Sequence, residues 1–591
     1  MRALSITLAV TLLAPTACDG TKSKPSAPAS RASQILVTIE AIAPRHLAPF
    51  GGPKAMPQLA AAAAAGTIFD DVMSTAPAAR PALVSLLAGT PPDRSGVRDN
   101  IHDAIPESVA TLASGAKASG FETAAFVASS FASYSSGLQR GFELFDGPEV
   151  QVIGPAQFCT PVVAGPQVAE HFKQWLTTRQ KGKPFFAWIH LSDLNCQATQ
   201  PPGSDGSSVR KSGDPLEDYD LALSTTDEAI GGILAAAKAD PDAAAATLTL
   251  VGTHSPYLGE SGRRGDGFWL ADETLRVPLV RLARTSDPPA AQPKHDARPT
   301  WLPDISASLN AALGAEVQAD PGAIPLESVA PAGRLRMAWA YAPDDQLAWP
   351  PLTAVRDGAG LTVFSASPSG ALQAAGDASA EVTTAAKARP ALPRQRILSD
   401  ADRATIEKHG FKLGPGGTVA TPPKNADDWL RDLQVSRLFL SRRRPQLAGR
   451  ATLKLIDESP DAFAALLQRM IQISSYQSEE GWALRKKLLS LYPERSDVLH
   501  WAAHLSLIDK AYKVAADILD AAIRVGPVEP EIYYDRACVY AQQGRTKEAV
   551  DELAVAIRAG YRNWDWFDKD PDMAPIRSAP EFVELLRTHG R

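Results

Sequence analysis

The segment Ile35–Leu47 reads ILVTIEAIAPRHL. Its first part, ILVTIE (35–40), is apolar and β-branched up to a terminal acid, the composition of a strand buried on both faces. FFAWIHL (185–191) and TLTLVGT (247–253) share that signature, and TIFDDVM (67–73) and TAAFVAS (123–129) follow it more weakly. Helical stretches lie between them at Pro57–Ala65, Pro81–Ala88, Val109–Ser119, Pro166–Arg179 and Leu216–Ala239. Strand and helix alternate over roughly 290 residues, which predicts an α/β domain with a largely parallel central sheet. Residues 315–400 are rich in Pro and Ala, with short β-like pieces such as LTVFSA (361–366). They predict a small antiparallel subdomain closing a domain that spans 34–400.

Outward from this body the chain changes character twice. Residues 410–426, GFKLGPGGTVATPPKNA, read as a Gly/Pro-rich linker, and the region 401–450 is assigned to it. Beyond lies a helical region, 451–591, with an internal repeat. Ser496–Glu529 set above Pro530–Asn563 places Ala503 on Ala537, Ala515 on Ala549, Leu519 on Leu553, Ala522 on Ala556 and Leu499 on Tyr533. Small residues at these places let antiparallel helices approach, and larger ones fill the seam. A 34-residue period with this pattern is similar to a tetratricopeptide repeat. Gly544 marks the turn between helices, Tyr540 takes the aromatic site and Pro527 closes the earlier repeat. Phe463–Pro493 reads as an eroded repeat, and NWDWFDKDPDMAPIRSAPEF resembles a terminal cap.

The N-terminus reads MRALSITLAVTLLAPTA over residues 1–17, with Arg2 before the apolar core Leu4–Leu13 and small residues ahead of Cys18. This is the layout of a cleaved export signal. A cysteine straight after small residues resembles a bacterial lipobox, with Pro15 in place of the usual aliphatic residue. Residues 18–33 form a polar tether. The expectation is an exported, periplasmic chain anchored through lipid on Cys18. The 591 residues carry 60 Lys+Arg against 66 Asp+Glu, and no basic excess points to a nucleic-acid partner. Hydrophobic residues at 45% and charged residues at 21% exclude wholesale disorder, and four cysteines exclude a disulfide scaffold.

The first 330 residues resemble the sulfatase family of the alkaline phosphatase superfamily. Ile35–Leu47 is similar to its opening strand and metal-binding turn. Ser74–Asn100, STAPAARPALVSLLAGTPPDRSGVRDN, is similar to its nucleophile loop and helix. Thr111–Asp146, with GFETAAFV and GLQRGFELFD, follows in order, as do PFFAWIHLSDLN (184–195) and Leu248–Leu279 with DETLRVPL. The resemblance implies an alkaline-phosphatase-like sandwich. It also implies metal-assisted ester hydrolysis through carboxylate-held hard cations and a Cys, Ser or Thr nucleophile.

The residues present depart from that chemistry. Where the family's first strand ends in Asp followed by Asp or Thr, this chain has Glu40 and Ala41, and Ala43 stands where an arginine is expected. The nucleophile motif reads Ala79–Arg80–Pro81–Ala82–Leu83. Alanine has no oxygen or sulfur and forms no ester intermediate, and Leu83 replaces the basic partner. Thr253–His254 stands for Asp-His or Asp-Asn, Asn195 for a His or Lys, and Asp266–Gly267 for a His-Gly pair. Glu40 and His254 are the residual metal candidates, and Asn195 and Asp266 edge the same pocket. Pro81, Ser85, Leu86, Leu87 and Gly89 keep the packing pattern of the following helix.

Cys159 and Cys196 fall at the sheet edge where the family carries its active site, which predicts a disulfide in an oxidising compartment. Cys538 reads as a small buried residue. The leading expectation is a catalytically inactive sulfatase-like protein whose repeats bind a protein partner, with no cofactor. Two alternatives stand beside it: a metal-dependent sulfate- or phosphate-ester hydrolase holding Ca²⁺ or Mg²⁺ in an unusual site, and a structural component of the envelope.

Overall fold

The computed structural model describes residues 31–100, 103–147, 163–195, 215–260, 263–366, 371–441, 444–473, 478–559, 561 and 563–589. The chain divides into Met1–Arg31 and a compact unit, Ala32–Arg591. The export signal, Cys18, most of the tether, Cys159 and Cys196 lie outside the described residues. Among the described residues no helix is long and apolar enough to cross a membrane.

Eight strands form the central sheet: β1 (Gln34–Ile39), β2 (Thr67–Met73), β3 (Glu122–Val127), β4 (Leu144–Asp146), β5 (Phe185–Leu191), β6 (Thr247–Gly252), and, after the short hairpin β7 (Tyr257–Leu258) and β8 (Arg264–Gly265), β9 (Leu279–Leu282) and β10 (Lys294–Trp301). The order is β10-β2-β9-β6-β1-β5-β3-β4. All neighbours run parallel except β9, which is antiparallel to both β2 and β6. Every residue of β1 and β5 is buried, as expected for central strands covered on both faces. Alternation splits their side chains. Ile35, Val37 and Ile39 join helices Pro57–Ala65, Gly165–Thr178 and Pro215–Ala239 in one core. Leu36, Phe186 and Trp188 join helices Ala79–Leu87, Leu112–Ala118 and Leu302–Leu313 in the other.

The antiparallel subdomain is a four-stranded sheet of β11 (Arg336–Ala340), β12 (Leu352–Arg356), β13 (Leu361–Ala366) and β14 (Leu372–Ala374), in that order. The region expected to be linker is largely structured. Helices Asp400–Glu407, Ala426–Ser441 and Pro445–Glu458 occupy much of 401–450. The Gly/Pro-rich stretch between the first two has no regular structure but is packed. Phe411 and Leu413 are buried, and Gly417 N–H donates to Glu494 Oε1 at 2.6 Å. Trp429, Leu430 and Leu433 supply the apolar stripe that holds Ala426–Ser441 against the array.

In the helical region, Ser496–Ile508 and Tyr512–Val525 are followed by Pro530–Gln542 and Thr546–Ala559, each beginning 34 residues after its counterpart. Ala503, Ala515, Leu519 and Ala522 are buried, and so are Ala537, Ala549, Leu553 and Ala556. Gly544 turns the second hairpin at φ +74°, a conformation costly for any residue with a Cβ. Phe463–Ile473 and Glu479–Leu491 make the preceding helix pair.

The array packs directly on the α/β body. Trp269, Trp349 and Trp429 form a run of rings with centroids 6.4 and 5.8 Å apart. Arg263 pairs with Asp427 at 3.0 Å. Arg495 donates to the main-chain oxygens of Asp344 (3.0 Å) and Asp345 and lies 3.8 Å from the Phe463 ring centroid. Around that contact Arg98 binds Asp344 (2.8 Å) and Asp345 (3.1 Å), and Arg394 binds Asp103 (2.8 Å) and Asp345 (3.0 Å).

Candidate functional site

Strands β6, β1 and β5 end at one edge of the sheet, where open α/β sheets place their ligands. Main-chain bonds hold the three ends together: Glu40 N–H to Leu191 O (3.0 Å), Thr253 N–H to Ile39 O (2.9 Å) and Ile42 N–H to His254 O (3.0 Å). Strand β1 is followed by Glu40 and then Ala41, which is buried and sits at φ +53°. The helix Ala79–Leu87 starts at the same edge. The Ser74 hydroxyl donates to Thr253 O at 2.6 Å, and Gly267 N–H donates to Pro77 O at 2.8 Å. All nine residues of this helix are buried. Its N-cap, Ala78, offers no side-chain acceptor, and Asn100 Oδ1 accepts from Arg80 N–H instead, at 2.9 Å.

Glu40 is wholly buried, and its partner is His190 on β5, not His254. The Glu40 Oε1 to His190 Nε2 distance is 2.8 Å. His190 Nδ1 lies 2.8 Å from Thr38 Oγ1, which also accepts from Trp188 Nε1–H at 2.9 Å. The register that pairs Thr38 with His190 aligns this row across β1 and β5. A Thr38 hydroxyl that donates to Nδ1 leaves Nε2–H to donate to Glu40, so both ring nitrogens have partners. The sequence reading missed His190. Its signal was a lone imidazole within the otherwise apolar FFAWIHL.

His254 is also closed off. Its Nε2 pairs with Asp266 Oδ2 at 2.7 Å and its Nδ1 with Thr253 Oγ1 at 3.0 Å. The structure therefore joins two of the four expected pocket residues, His254 and Asp266. Glu40 is paired with His190 instead. Asn195 lies in the turn after β5, buried, with its N–H on Ser192 O (3.1 Å). Ala79, at the nucleophile position, is buried with no side-chain polar atom. Asp193 is a support: its Oδ1 accepts from Gly165 N–H at 2.9 Å at the start of the preceding helix Gly165–Thr178, while burial raises its carboxyl above the usual range.

Neighbouring hydroxyls do not rebuild a nucleophile. Thr75 Oγ1 and Ser85 Oγ lie 2.8 Å apart, and Ser85 donates to Pro81 O at 3.0 Å. Neither hydroxyl has a hydrogen bond to an imidazole or carboxylate among the described residues, so neither has a base. Arg80 is consumed structurally, donating to Phe131 O (2.7 Å) and Asp103 O (2.8 Å). Burial pulls its guanidinium down to about 10 against the charges of Asp99 and Asp103, so it stays protonated at neutral pH.

The donor set does not fit the hard cation that the fold resemblance implies. Such an ion takes about six to eight oxygens. The edge offers Glu40 Oε2, a buried oxygen without a protein partner. Ala41 offers nothing, the Thr253 hydroxyl is bonded to His254, and both His254 nitrogens are engaged. Asp99, Asp103 and Asp345 do gather carboxylate oxygens within 4.8 Å of one another, but Arg98, Arg394 and Arg80 already surround them. A cavity of about 480 Å³ lies elsewhere, lined by Arg45, Phe50, Asp70, Glu273 and His295 among others, and by none of Glu40, Ala79, Asn195 or His254. Asp266 lines a narrow cleft of about 20 Å³ against Asp427 and Leu430 of the helical region, which roofs this edge.

Residues 34–314 match the family model for sulfatases. Similar solved structures include a protein of Bacteroides thetaiotaomicron described as a sulfatase, at TM-score 0.48 and 14% identity over 64% of this chain and 90% of that one. The phosphonate monoester hydrolase of Agrobacterium radiobacter aligns at TM-score 0.46 and 15% identity, covering 64% and 94%. A 2-O GAG sulfatase aligns at TM-score 0.46 and 13% identity, covering 64% and 90%.

Proposed function

With residues 34–314 forming a sulfatase-family domain, we propose that this chain is a non-hydrolytic member of that fold and serves as an exported binding scaffold. The observation that carries the reading is the closed pairing at the sheet edge. Glu40 and His254, the two residues left at metal positions, are bound to His190 and Asp266, and the helix that should present a nucleophile opens on buried Ala79. Turnover in this family's manner needs a metal to polarise the ester and an atom to attack it. Neither role has a residue here. An ion that bound the edge in the folded state would stabilise it by mass action. Millimolar Ca²⁺ or Mg²⁺ is therefore expected to leave the unfolding midpoint of the α/β body unchanged. A rise abolished by Glu40→Gln would favour the hydrolase alternative.

The scaffold reading has two further parts. The charged start, apolar core and Cys18 support export and lipid anchoring. The helix pairs spaced at 34 residues support a tetratricopeptide-like surface for a protein partner. Trp482 and Trp566, 44% exposed each, are the large rings that the array leaves for contact. Purification of the full chain from envelope membranes tests both parts. It is expected to fractionate with lipid, to be released by Cys18→Ala, and to bring a second protein in fixed proportion. Recovery as a lone, soluble, unacylated chain would contradict this.

A further inference from the structure

The antiparallel subdomain borders a cavity of about 200 Å³, and none of Glu40, Ala79, Asn195, His254 or Asp266 lines it. Three arginines do: Arg334, Arg336 and Arg356. Arg336 opens β11 and Arg356 closes β12, and the antiparallel register sets the two directly opposite each other. Cross-strand partners of this kind share one face of the sheet, with Cβ atoms about 4.5–5.5 Å apart. Both are buried, Arg336 being 3% and Arg356 9% exposed. We infer that Arg356, with Arg336 and Arg334 beside it, forms a binding site for a tetrahedral oxyanion of the phosphate or sulfate class, free or at the end of a small molecule.

Three observations support this. The first is the pairing itself. Like charges directly opposite each other in a sheet are destabilising, and an anion held between them relieves the repulsion. The second is how the counter-charges are shared. Arg334 is held by both oxygens of Asp304, at 2.8 and 3.1 Å, and Arg336 by Asp71 at 2.6 Å. Of the two acids on the cavity wall, Asp71 also binds Arg276 at 3.2 Å. The other, Asp357, turns Oδ1 to its own loop, accepting from Ala359 N–H at 2.8 Å and Gly360 N–H at 3.0 Å. Arg356 is left to Asp272, whose side chain is 50% exposed. The third is donors without acceptors. Among the described residues, Arg356 Nε and Arg336 Nε are buried with no hydrogen-bond partner. A buried guanidinium short of acceptors is costly, and its planar fork matches two oxygens of a phosphate or sulfate. Gly333, Gly358 and Gly360 bring main chain and no bulky side chain to the same wall. This site is independent of whether the sheet edge is active.

The test uses the full chain in chloride buffer at constant ionic strength. Calorimetric titration with inorganic phosphate or sulfate is expected to show one saturable equivalent, and the unfolding midpoint to rise with it. Both anions also stabilise proteins by exclusion from the surface, so the variants carry the decision. Arg356→Gln should weaken binding at least about tenfold, the loss of a charge-assisted hydrogen bond, with secondary structure unchanged by circular dichroism. Arg356→Lys keeps the charge without the fork; it is the milder variant if glutamine disturbs the fold, and it should weaken binding as well. Asp272→Asn removes the competing carboxylate and should tighten binding. Arg587→Gln, at an exposed pair in the last helix, should leave it intact. Titration with glycerol phosphate beside inorganic phosphate tells a free oxyanion from the end of a larger molecule by which binds tighter, and either order supports the site. Absence of saturable binding by wild type, or binding that the Arg356 variants leave unchanged, would overturn the assignment.

Discussion

His190→Ala is expected to destabilise the α/β body by about 3 kcal/mol, because it leaves a buried carboxylate without its hydrogen-bond donor. Both side chains of the Glu40–His190 pair are 0% exposed. One Glu40 oxygen already lacks a partner, so loss of the ring would leave the carboxylate with no donor in the centre of the sheet. Thr38 would lose a partner as well, although Trp188 still donates to it. Removing both members is a different matter. A Glu40→Leu, His190→Leu double variant has no buried charge to strand and should cost far less than His190→Ala alone. Denaturant titration of the three proteins checks this. A loss under about 1 kcal/mol for His190→Ala, within the range of a surface change, would mean that the pair does not hold the strand ends.

Arg495→Ala should remove about 3 kcal/mol or more and uncouple the helical array from the body. Arg495 is buried, ties the main chain at Asp344 and Asp345 to the array, and pairs with Asp497 at 3.1 Å. Its loss takes a donor from each of these carbonyl oxygens, although Asp344 O keeps the Ala348 N–H at 3.1 Å. Wild type should therefore unfold in a single step and the variant in two, seen when calorimetry is compared with tryptophan fluorescence. The same contact carries a pH dependence. Burial alone would raise the Asp345 carboxyl, but Arg98 and Arg394 outweigh it and hold it below the usual range. A carboxyl lowered by folding contributes stability above its unfolded value and loses it as pH falls through the folded one. The advantage of wild type over Asp345→Asn should accordingly shrink as pH falls below about 4.

The elements most legible in the sequence were those with unbroken signals. β1, β5 and β6 were readable because parallel central strands are apolar on both faces. Helix Pro57–Ala65 was readable because Pro57 opens it and Gly66 follows it. β9 and β10 gave no such signal. LVRL is too short to show a period, and KHDARPTW carries charges and a proline at a sheet edge. The helix Ala426–Ser441 was obscured by the Gly/Pro-rich stretch ahead of it, although its Trp429, Leu430 and Leu433 formed a visible stripe. At the candidate site the losses were readable from residue type alone: Ala79 cannot attack and Ala41 cannot ligate. What replaced them was not. That Glu40 faces His190, and His254 faces Asp266, follows from strand register and from a loop folding back, and neither is written in local spacing.

Whether the sheet edge performs chemistry is the central question for this protein. The direct measurement is initial-rate hydrolysis of an aryl sulfate and an aryl phosphate by the purified full chain, with Ca²⁺, Mg²⁺, Mn²⁺ and Zn²⁺ supplied in turn, beside Glu40→Gln, His254→Ala and an Ala79→Ser, Thr253→Asp double variant. The predicted result is a wild-type rate equal to buffer with every metal, and no change in the Glu40 and His254 variants. The contradicting result is a wild-type rate that persists through repeated purification and falls when Glu40 or His254 is replaced.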